Sequence, residues 1–391
     1  MKRLAIITTH PIQYNAPVFR MLTERGNIII KVFYTWGEAV MQDKYDPGFG
    51  KIIRWDIPLT DGFDFCFPKN IAPQPGSHHF SGIDNPSLIQ DIKAWKADAV
   101  LVFGWSFKSH LKLLRYFKGK LPVFFRGDST LLDEVGGFKT LLRRTFLKWV
   151  YRHIDKALYV GKNNKDYFLK HGLKNNQLIH APHAIDNNRF SKALSLSDKA
   201  ITEERQRLGV AEDDFVVLFC GKFEEKKNPF FLIQLIEQLK DLPNFKILFV
   251  GNGPLETNLK EAAKENANIV FAPFQNQASM PSVYKAASVF ILPSVGPGET
   301  WGLAINEAMA CGLPVIASHK CGGAKDLIED YENGLTFATD EIEKVAKYLR
   351  QLYADSALYK RTGAASIKKI EQFSFEHICE AIEQITLNSN E

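Results

Sequence analysis

The sequence predicts an α/β protein made of two doubly wound units in tandem, and three observations support this class. Short apolar runs rich in β-branched and aromatic residues recur along the chain, separated by helical patterns. Runs that are apolar throughout are typical of parallel strands covered by helices on both faces. The 391 residues exceed the size of one ordinary core. The net charge also changes sign between the two halves.

Ten apolar runs are predicted strands, five in each half of the chain. The residues between them carry helical patterns, as expected for strands joined by crossover helices. The predicted strands are RLAIITT (3–9), NIIIKVFYTW (27–36), DAVLVFGW (98–105), PVFFRG (122–127), KALYVG (156–161), DFVVLFCGK (214–222), FKILFVGNG (245–253), NIVFAP (268–273), SVFILPS (288–294) and PVIAS (314–318).

A polar, turn-rich stretch at 181–200 predicts a domain boundary near residue 190. We therefore expect a first domain over 1–190 and a second over 191–372. The remaining segment, 373–391, begins with an amphipathic helical pattern and is expected to pack back toward the first domain.

The charge is distributed unevenly. Residues 1–190 carry 28 Lys and Arg against 16 Asp and Glu, a net +12, whereas residues 191–391 carry 21 against 28, a net −7. The first half should attract anions at long range and the second should not. We expect no nucleic-acid partner, because no recognised binding motif accompanies the positive charge.

The composition is that of a soluble globular protein, with 45% hydrophobic and 24% charged residues. The basic start of the chain is interpreted as a first strand, because its apolar run is too short for a signal peptide. Five cysteines show neither a C-x-x-C pair nor metal-ligand spacing. A reducing cytoplasm is the expected location.

The stretch PGETWGLAINEAMACGLPVIAS, residues 297–318, has more polar detail than core packing requires. It predicts a loop after a strand, a helix that starts near Gly302, and a stop at Gly312 and Pro314. Glu299 then lies in the loop and Glu307 on the helix. A helix start binds phosphate, and carboxylates accept hydrogen bonds from hydroxyls. The order carboxylate, helix start, carboxylate suits the sugar hydroxyls, diphosphate and ribose hydroxyls of a nucleotide sugar. Two glutamates alone, however, would more often be solvated charges.

These residues resemble the E-x7-E segment of the retaining glycosyltransferases of family 4. Further similarities follow in the family's order at FCGKFEEKKNP (219–229), FVGNGPLETNL (249–259), FAPFQNQASMPSVYKAASVFILPS (271–294) and CGGAKDLIEDYENGLTF (321–337). The resemblance covers residues 180–391. It implies the GT-B architecture, in which two Rossmann-like domains face each other across a cleft and the C-terminal helix crosses back.

The resemblance implies a donor site for a UDP-, GDP- or ADP-sugar. Glu299 would bind sugar hydroxyls, Glu307 the ribose, and Lys222 and Lys227 the diphosphate. The implied donor-site residues are Gly221, Lys222, Lys227, Glu299, Thr300, Trp301, Gly302, Leu303 and Glu307. Both lysines flank a strand-to-helix turn at the carboxyl end of a strand, where open α/β sheets bind ligands.

The first half resembles a bacterial subgroup that carries an HPIQY-type loop, seen here at 10–14, and also matches it in YDPGFGKIIRWDIPLTDGFDF (45–65). Many relatives have a histidine where this chain has Arg126, so the usual contact of that histidine to the donor is in question. Asp128 would orient the acceptor. His10 would face the cleft, or it would simply cap a helix.

The resemblance further implies transfer with retention of anomeric configuration and without a cofactor or metal. The chain has no D-x-D triplet, and two lysines would do the work of a cation. The acceptor would be a glycan or a lipid-linked saccharide bound by the first domain, in the synthesis of cell-surface polysaccharide or glycoconjugate.

Residues 138–157 form a basic amphipathic pattern that carries six Lys and Arg. It would lie on the anionic inner face of a membrane, or it would be an ordinary surface helix packed on the sheet. The two interpretations are equally supported by the sequence.

Other functions stay open at this point. A nicotinamide-dependent dehydrogenase is suggested by Gly251-Asn252-Gly253 after a strand, but the third glycine and the later acidic residue of the fingerprint are missing. An epimerase or phosphorylase of similar architecture, and a non-catalytic nucleotide-sugar-binding protein, would share the same binding residues.

Overall fold

The computed structural model describes residues 1–38 and 54–388, together with the backbone of two short strands at 44–46 and 51–53. Part of the stretch 45–65 that resembles the bacterial subgroup, and residues 389–391 of the predicted C-terminal segment, lie outside the described residues.

The ten predicted strands are confirmed, and the part of the chain that the structure describes contains five further short strands that were not predicted. The strands are β1 Arg3–Thr8, β2 Ile29–Tyr34, β3 Lys44–Asp46, β4 Lys51–Ile53, β5 Phe65–Cys66, β6 Ala99–Phe103, β7 Val123–Arg126, β8 Lys156–Tyr159, β9 Leu178–His180, β10 Phe215–Cys220, β11 Phe245–Val250, β12 Ile269–Ala272, β13 Val289–Leu292, β14 Val315–Ser318 and β15 Gly334–Phe337.

Helices connect most of these strands. They are α1 Ala16–Arg25, α2 Leu88–Ala94, α3 Lys108–Phe117, α4 Phe138–Tyr151, α5 Lys162–Lys170, α6 Asn187–Ser191, α7 Asp198–Leu208, α8 Phe230–Glu237, α9 Glu256–Ala263, α10 Met280–Lys285, α11 Leu303–Ala310, α12 Ala324–Leu327, α13 Ile342–Ala354, α14 Ser356–Ile370 and α15 Phe375–Leu387. Among the described residues, no helix has both the length and the hydropathy of a membrane-spanning segment.

The chain divides into two compact units, each built on a Rossmann-like parallel sheet. The first unit contains Met1–Lys44, Ile57–His183 and Phe375–Glu391, and the second contains Tyr45–Asp56 and Ala184–Ser374. The division after His183 falls before the boundary predicted near residue 190. The sequence did not predict that a segment around 45–56 would group with the second unit.

The first sheet has the order β5-β2-β1-β6-β7-β8-β9 and the second has β12-β11-β10-β13-β14-β15, while β3 and β4 pair separately. The strands of the two larger sheets run parallel, as in the register of Val217 with Ile247 and with Val289. Their apolar sequences follow from burial on both faces: Val216 to Phe219 of β10 are fully buried.

The C-terminal helix α15 packs against α1 within the first unit. Nε and Nη2 of Arg25 each donate a hydrogen bond of 2.9 Å to one carboxylate oxygen of Glu383. The Glu383 side chain is nearly buried, and this hydrogen bond, supported by the charge of Glu383, raises the pKa of Arg25. The ion pair thus joins the two ends of the described chain.

We predict that Glu383→Ala lowers the free energy of unfolding by about 1–3 kcal/mol, because it leaves a partly buried guanidinium without its partner. Urea denaturation measures the change. Glu380→Ala, at an exposed position of the same helix, is the control and should have little effect. An equal loss in both variants would show that the ion pair does not hold α15.

Candidate active site

The candidate site lies at the carboxyl edge of the second sheet, where the strand order reverses. β10 lies between β11 and β13, so connections leave this point toward opposite sides of the sheet. Open α/β sheets bind ligands at such a switch point. The loop 221–229 follows β10 and the loop 293–302 follows β13. Together they carry most of the residues predicted for the donor site.

The two loops are bound to each other through the main chain. The first contains a 3₁₀ turn over Glu225–Lys227. The carbonyl oxygen of Lys226 accepts hydrogen bonds from the N–H groups of Val295 and Gly296, at 2.8 and 3.3 Å. These bonds fix the position of Lys227 relative to the second loop.

Lys227 and Glu299 form an ion pair where the loops meet. Nζ of Lys227 donates to Oε2 of Glu299 over 2.8 Å, and Oγ of Ser294 donates to the same oxygen over 3.3 Å. Only 17% and 11% of the two charged side chains are exposed. The pair therefore places a cation beside a carboxylate where little solvent reaches them.

The ion pair keeps Lys227 charged in spite of its burial. Burial favours the neutral amine and acts to lower the pKa, but the attraction of Glu299 and the hydrogen bond to it outweigh burial. The pKa of Lys227 is therefore raised above its ordinary value. An ammonium group that persists at neutral pH is suited to bind a diphosphate.

Two glycines hold the main chain around Glu299. The N–H of Gly322 donates to the carbonyl oxygen of Glu299 over 2.9 Å, and the N–H of Gly323 donates to that of Trp301 over 2.8 Å. A Cβ atom on Gly322 would lie 1.8 Å from the carbonyl oxygen of Thr300. Only glycine allows this approach, so the Gly-Gly turn helps to set the position of the loop.

The predicted helix after this loop is confirmed as α11. Gly302 precedes it with φ +94°, a left-handed conformation that favours glycine, and contributes no side chain to cap the first N–H groups. A helix N-terminus of this kind can bind an anion. Leu303 is the first helical residue.

Glu307 is a buried carboxylate on α11. Its side chain accepts a hydrogen bond of 2.8 Å at Oε2 from the hydroxyl of Tyr284, which lies on α10 and is fully buried. A buried charge is tolerated when it is hydrogen-bonded. Tyr284 could not be selected from the sequence, because its contact is formed by two helices that are separated along the chain.

Two buried thiols show that the charged groups cluster. Burial raises the pKa of Cys220, at the end of β10; the charge of Glu307 raises it further and that of Lys227 opposes this. Burial raises the pKa of Cys321 to about 12, with Glu299 adding to the shift and Lys227 again opposing it. Lys227 thus acts on both thiols, while Glu307 acts on Cys220 and Glu299 on Cys321.

Trp301 and Thr300 contribute to this loop in different ways. Trp301 is buried, and its indole N–H donates to the side chain of Asn306 over 2.8 Å. Its buried side chain therefore helps to hold the loop in place. Thr300 is partly exposed and its main chain adjoins Gly322.

Gly221 and Lys222 follow β10, and the Gly-Asn-Gly segment packs against them. A Cβ on Gly251 would lie 2.0 Å from the carbonyl oxygen of Gly221, and one on Gly253 would lie 2.5 Å from the nitrogen of Phe223. The two glycines that suggested a dinucleotide fingerprint are therefore required for loop packing beside β10.

Arg126 lies in the first unit, at the end of β7, and its guanidinium is buried. Nη1 donates to the carbonyl oxygen of Ala181 over 2.7 Å and Nη2 to that of Pro182 over 3.0 Å. Burial lowers its pKa to about 10, against the opposing charge of Asp128. In this structure Arg126 anchors the segment that follows β9.

His183 was not selected from the sequence, yet it lies beside Asp128. Its Nε2 is 3.8 Å from Oδ2 of Asp128. Burial lowers the pKa of His183, while Asp128 opposes the shift and Arg126 adds to it. Arg126, Asp128 and His183 are thus neighbours.

His10 lies after β1 in the same unit, with its Nδ1 2.8 Å from Oγ1 of Thr9 and its ring edge-on to Trp36.

No group of three or more His, Cys, Asp or Glu side chains with the spacing of a metal site occurs among residues 1–38 and 54–388.

Known proteins are similar to this chain in sequence and in fold. Residues 200–369 match the family described as glycosyl transferases group 1. The chain is 32% identical over 185 residues to a D-inositol 3-phosphate glycosyltransferase of Streptomyces bingchenggensis, a match that covers 44% of this chain and 40% of that protein. The chain spans about half the length of the curated relatives that it matches first.

A second relative is the GDP-mannose-dependent monoacylated alpha-(1-6)-phosphatidylinositol monomannoside mannosyltransferase of Corynebacterium glutamicum. It is 27% identical over 265 residues, which cover 66% of this chain and 68% of that protein.

Among solved structures, sucrose-phosphate synthase from Thermosynechococcus elongatus superimposes with a TM-score of 0.72 at 18% identity, covering 98% of both chains. At this identity the likeness concerns the fold. Residues 200–369, within the second unit, are therefore similar to the glycosyltransferase group 1 domain, and the chain shares the two-domain α/β fold of sucrose-phosphate synthase.

Proposed function

We propose that this protein is a metal-independent, retaining glycosyltransferase of family 4 that transfers a hexose from a nucleotide-diphosphate sugar to a glycan or a lipid-linked saccharide. The observation that carries the proposal is the Lys227–Glu299 pair at the sheet switch point, next to the start of α11 and the buried Glu307. It combines a cation for phosphate with carboxylates for hydroxyls.

In this proposal each charged group binds one part of the donor. Lys222, Lys227 and the first N–H groups of α11 bind the diphosphate. Glu307 accepts a hydrogen bond from a ribose hydroxyl, and Glu299 from hydroxyls of the sugar. The main chain from Thr300 to Leu303 lines the same pocket. Because Glu299 is paired with Lys227 in the structure, the donor must separate the two side chains when it binds.

The transfer step follows from this placement. The bond between the anomeric carbon and the β-phosphate oxygen breaks, and its electron pair stays on the phosphate. The acceptor hydroxyl forms a bond to the anomeric carbon on the same face, which retains the configuration. Its proton passes to the departing phosphate, so that the products are the glycosylated acceptor and a nucleoside diphosphate. No protein base is needed.

The lysines and the helix start stabilise the charge that grows on the leaving group. Positioned cations and N–H groups of this kind are worth more in a site with little water than in solution. This is the role that a divalent ion has in metal-dependent transferases. On this basis we propose that Lys222 and Lys227 take the place of a metal.

We propose that the first unit binds the acceptor. Asp128 and the neighbouring His183 lie at the carboxyl edge of its sheet, after β7 and β9, and His10 follows β1. The name of the Corynebacterium glutamicum relative describes a phosphatidylinositol mannoside acceptor. A lipid-linked acceptor agrees with the proposed contact of residues 138–157 with the inner face of a membrane, and with a role in making cell-surface glycans.

The first test is Glu299→Gln. We expect transfer to fall by at least about 100-fold, because the sugar loses an ionised hydrogen-bond acceptor at the reacting centre. The affinity for the matching nucleoside diphosphate should be retained or increased, because Lys227 is released from its partner. UDP-, GDP- and ADP-sugars are screened by thermal shift, and transfer and diphosphate binding are then measured with the donor that stabilises the protein.

Glu225→Gln is the matched control, since Glu225 is exposed in the neighbouring loop. It should leave transfer within about twofold of the wild type. Undiminished transfer by Glu299→Gln would contradict the site. Stable donor binding without turnover, with any acceptor, would instead favour a nucleotide-sugar-binding protein.

The second test is Tyr284→Phe, which removes the hydroxyl that binds Glu307 and keeps the buried ring. We expect the KM for the donor to rise by about 10-fold or more, as for a lost hydrogen bond to a charged group. The kcat should change little, because the ribose contact is made equally before and during reaction. Steady-state kinetics separate the two constants.

Tyr353→Phe serves as its control, because that hydroxyl donates to the carbonyl oxygen of Pro243, on the surface of the same unit. A KM that does not move in Tyr284→Phe, or a fall in kcat alone, would argue against Glu307 as a donor-binding residue held by Tyr284.

A further inference from the structure

Helix α4 has two apolar faces, and only one of them is used in packing. Leu147 and Val150 are fully buried and Tyr151 nearly so, and all three belong to the core of the first unit. On the other side, Phe138, Leu141 and Leu142 are 73%, 58% and 55% exposed. A surface helix needs one apolar face for packing. The second, exposed apolar face of α4 therefore requires another explanation.

The exposed side chains form one continuous surface, which we call the α4 stripe. At about 3.6 residues per turn, positions 138, 141, 142, 145, 146 and 149 fall on the same side of the helix. Val135, in the loop just before the helix, is 79% exposed and extends the stripe at its start. The stripe consists of Val135, Phe138, Leu141, Leu142, Phe146 and Trp149.

The aromatic end of the stripe reaches the carboxyl edge of the first sheet. The ring of Phe146 contacts that of Trp105, which follows β6, with centroids 5.4 Å apart. Trp149 lies under the guanidinium of Arg115 at 5.4 Å. Trp105, Asp128 and His183 all follow strands of this sheet at the same edge. Phe146 therefore brings the stripe into contact with this edge, which also carries the residues proposed for the acceptor.

Cations border the stripe. Lys139 and Lys148 project about 90° to either side of it, with Arg152 one turn after Lys148. All three are exposed. In the loop before the helix, Glu134 is bound to Arg144. The burial pattern thus gives an apolar centre flanked by positive charge.

We propose that the α4 stripe docks on an anionic lipid membrane. A helix with this pattern lies in the membrane surface, its apolar side chains among the lipid tails and its lysines at the headgroups. The net charge of +12 over residues 1–190 adds long-range attraction to such a surface. The inference rests on the proposed function in one respect, since it makes the acceptor a lipid-linked one.

A second copy of the chain fits this surface less well. In a two-fold dimer each patch faces itself, so Lys139, Lys148 and Arg152 would meet the same cations of the other copy. A nucleic acid would satisfy the charge but would leave the leucines and Phe138 exposed to water. An anionic bilayer is complementary to both properties.

Flotation of the full chain with lipid vesicles tests the inference. We expect binding to vesicles that contain phosphatidylglycerol and little binding to phosphatidylcholine alone. Phe138→Ser combined with Leu142→Ser should reduce partitioning by about tenfold or more, because it removes two large apolar side chains from the inserted surface. Lys139→Gln combined with Lys148→Gln should reduce it about fivefold for each charge and weaken its salt dependence.

Matched controls lie elsewhere in the same unit. Ile71→Ser changes a side chain that is 51% exposed, and Lys93→Gln changes an exposed cation on α2. Both should bind vesicles as the wild type does, and melting curves check that every variant is folded. The inference is overturned if the wild type does not bind anionic vesicles, if the controls lose binding equally, or if the Phe138 and Leu142 changes dissociate a dimer instead.

The outcome is separable from that of the proposed function. Vesicle binding without any turnover of nucleotide sugars would reject the transferase and keep the docking surface. Turnover with a soluble acceptor, without vesicle binding, would do the reverse.

Discussion

The ion pair between Lys227 and Glu299 is the interaction on which the proposed donor site depends. Its two members come from loops that follow β10 and β13, which are neighbours in the sheet although about 70 residues separate them in sequence. The sheet order brings the loops together, the bonds from Lys226 and Gly322 hold their main chains, and the pair fixes the two side chains. In the unliganded protein the pair neutralises both charges. In the proposed function, the donor would replace each partner with a better one, a phosphate for the lysine and hydroxyls for the carboxylate.

A division of charge between the two units accompanies this arrangement. The second half of the chain has a net negative charge, so its anion site depends on a few positioned groups and not on long-range attraction. The first half is positive, and part of that charge borders the exposed α4 stripe. One helix can therefore belong to the core on one face and remain available to a membrane on the other. From the sequence alone, these were alternatives for residues 138–157: a helix on a membrane, or a surface helix packed on the sheet.

Much of the fold could be predicted, because buried parallel strands leave apolar runs and helix ends leave glycine and proline. The ten predicted strands and the helix after Gly302 followed from such local signals. β5 and β9 are only two and three residues long and left no apolar run. β15 includes a glycine and a threonine and gave no continuous apolar run either. In the site, Glu299, Glu307 and the lysines were selected through motif order. Tyr284 and His183 were missed, and the bonds of Arg126 to the segment after β9 were not foreseen, because these contacts are set by tertiary packing that no local pattern encodes.

The most direct measurement is a crystal structure of the protein with an intact nucleotide-diphosphate sugar. The account predicts that the 2.8 Å contact between Nζ of Lys227 and Oε2 of Glu299 is broken, with a phosphate oxygen bound to the lysine and a sugar hydroxyl to the glutamate. It also predicts a ribose hydroxyl on Glu307. A donor bound elsewhere, with the ion pair intact and the start of α11 empty, would contradict the account.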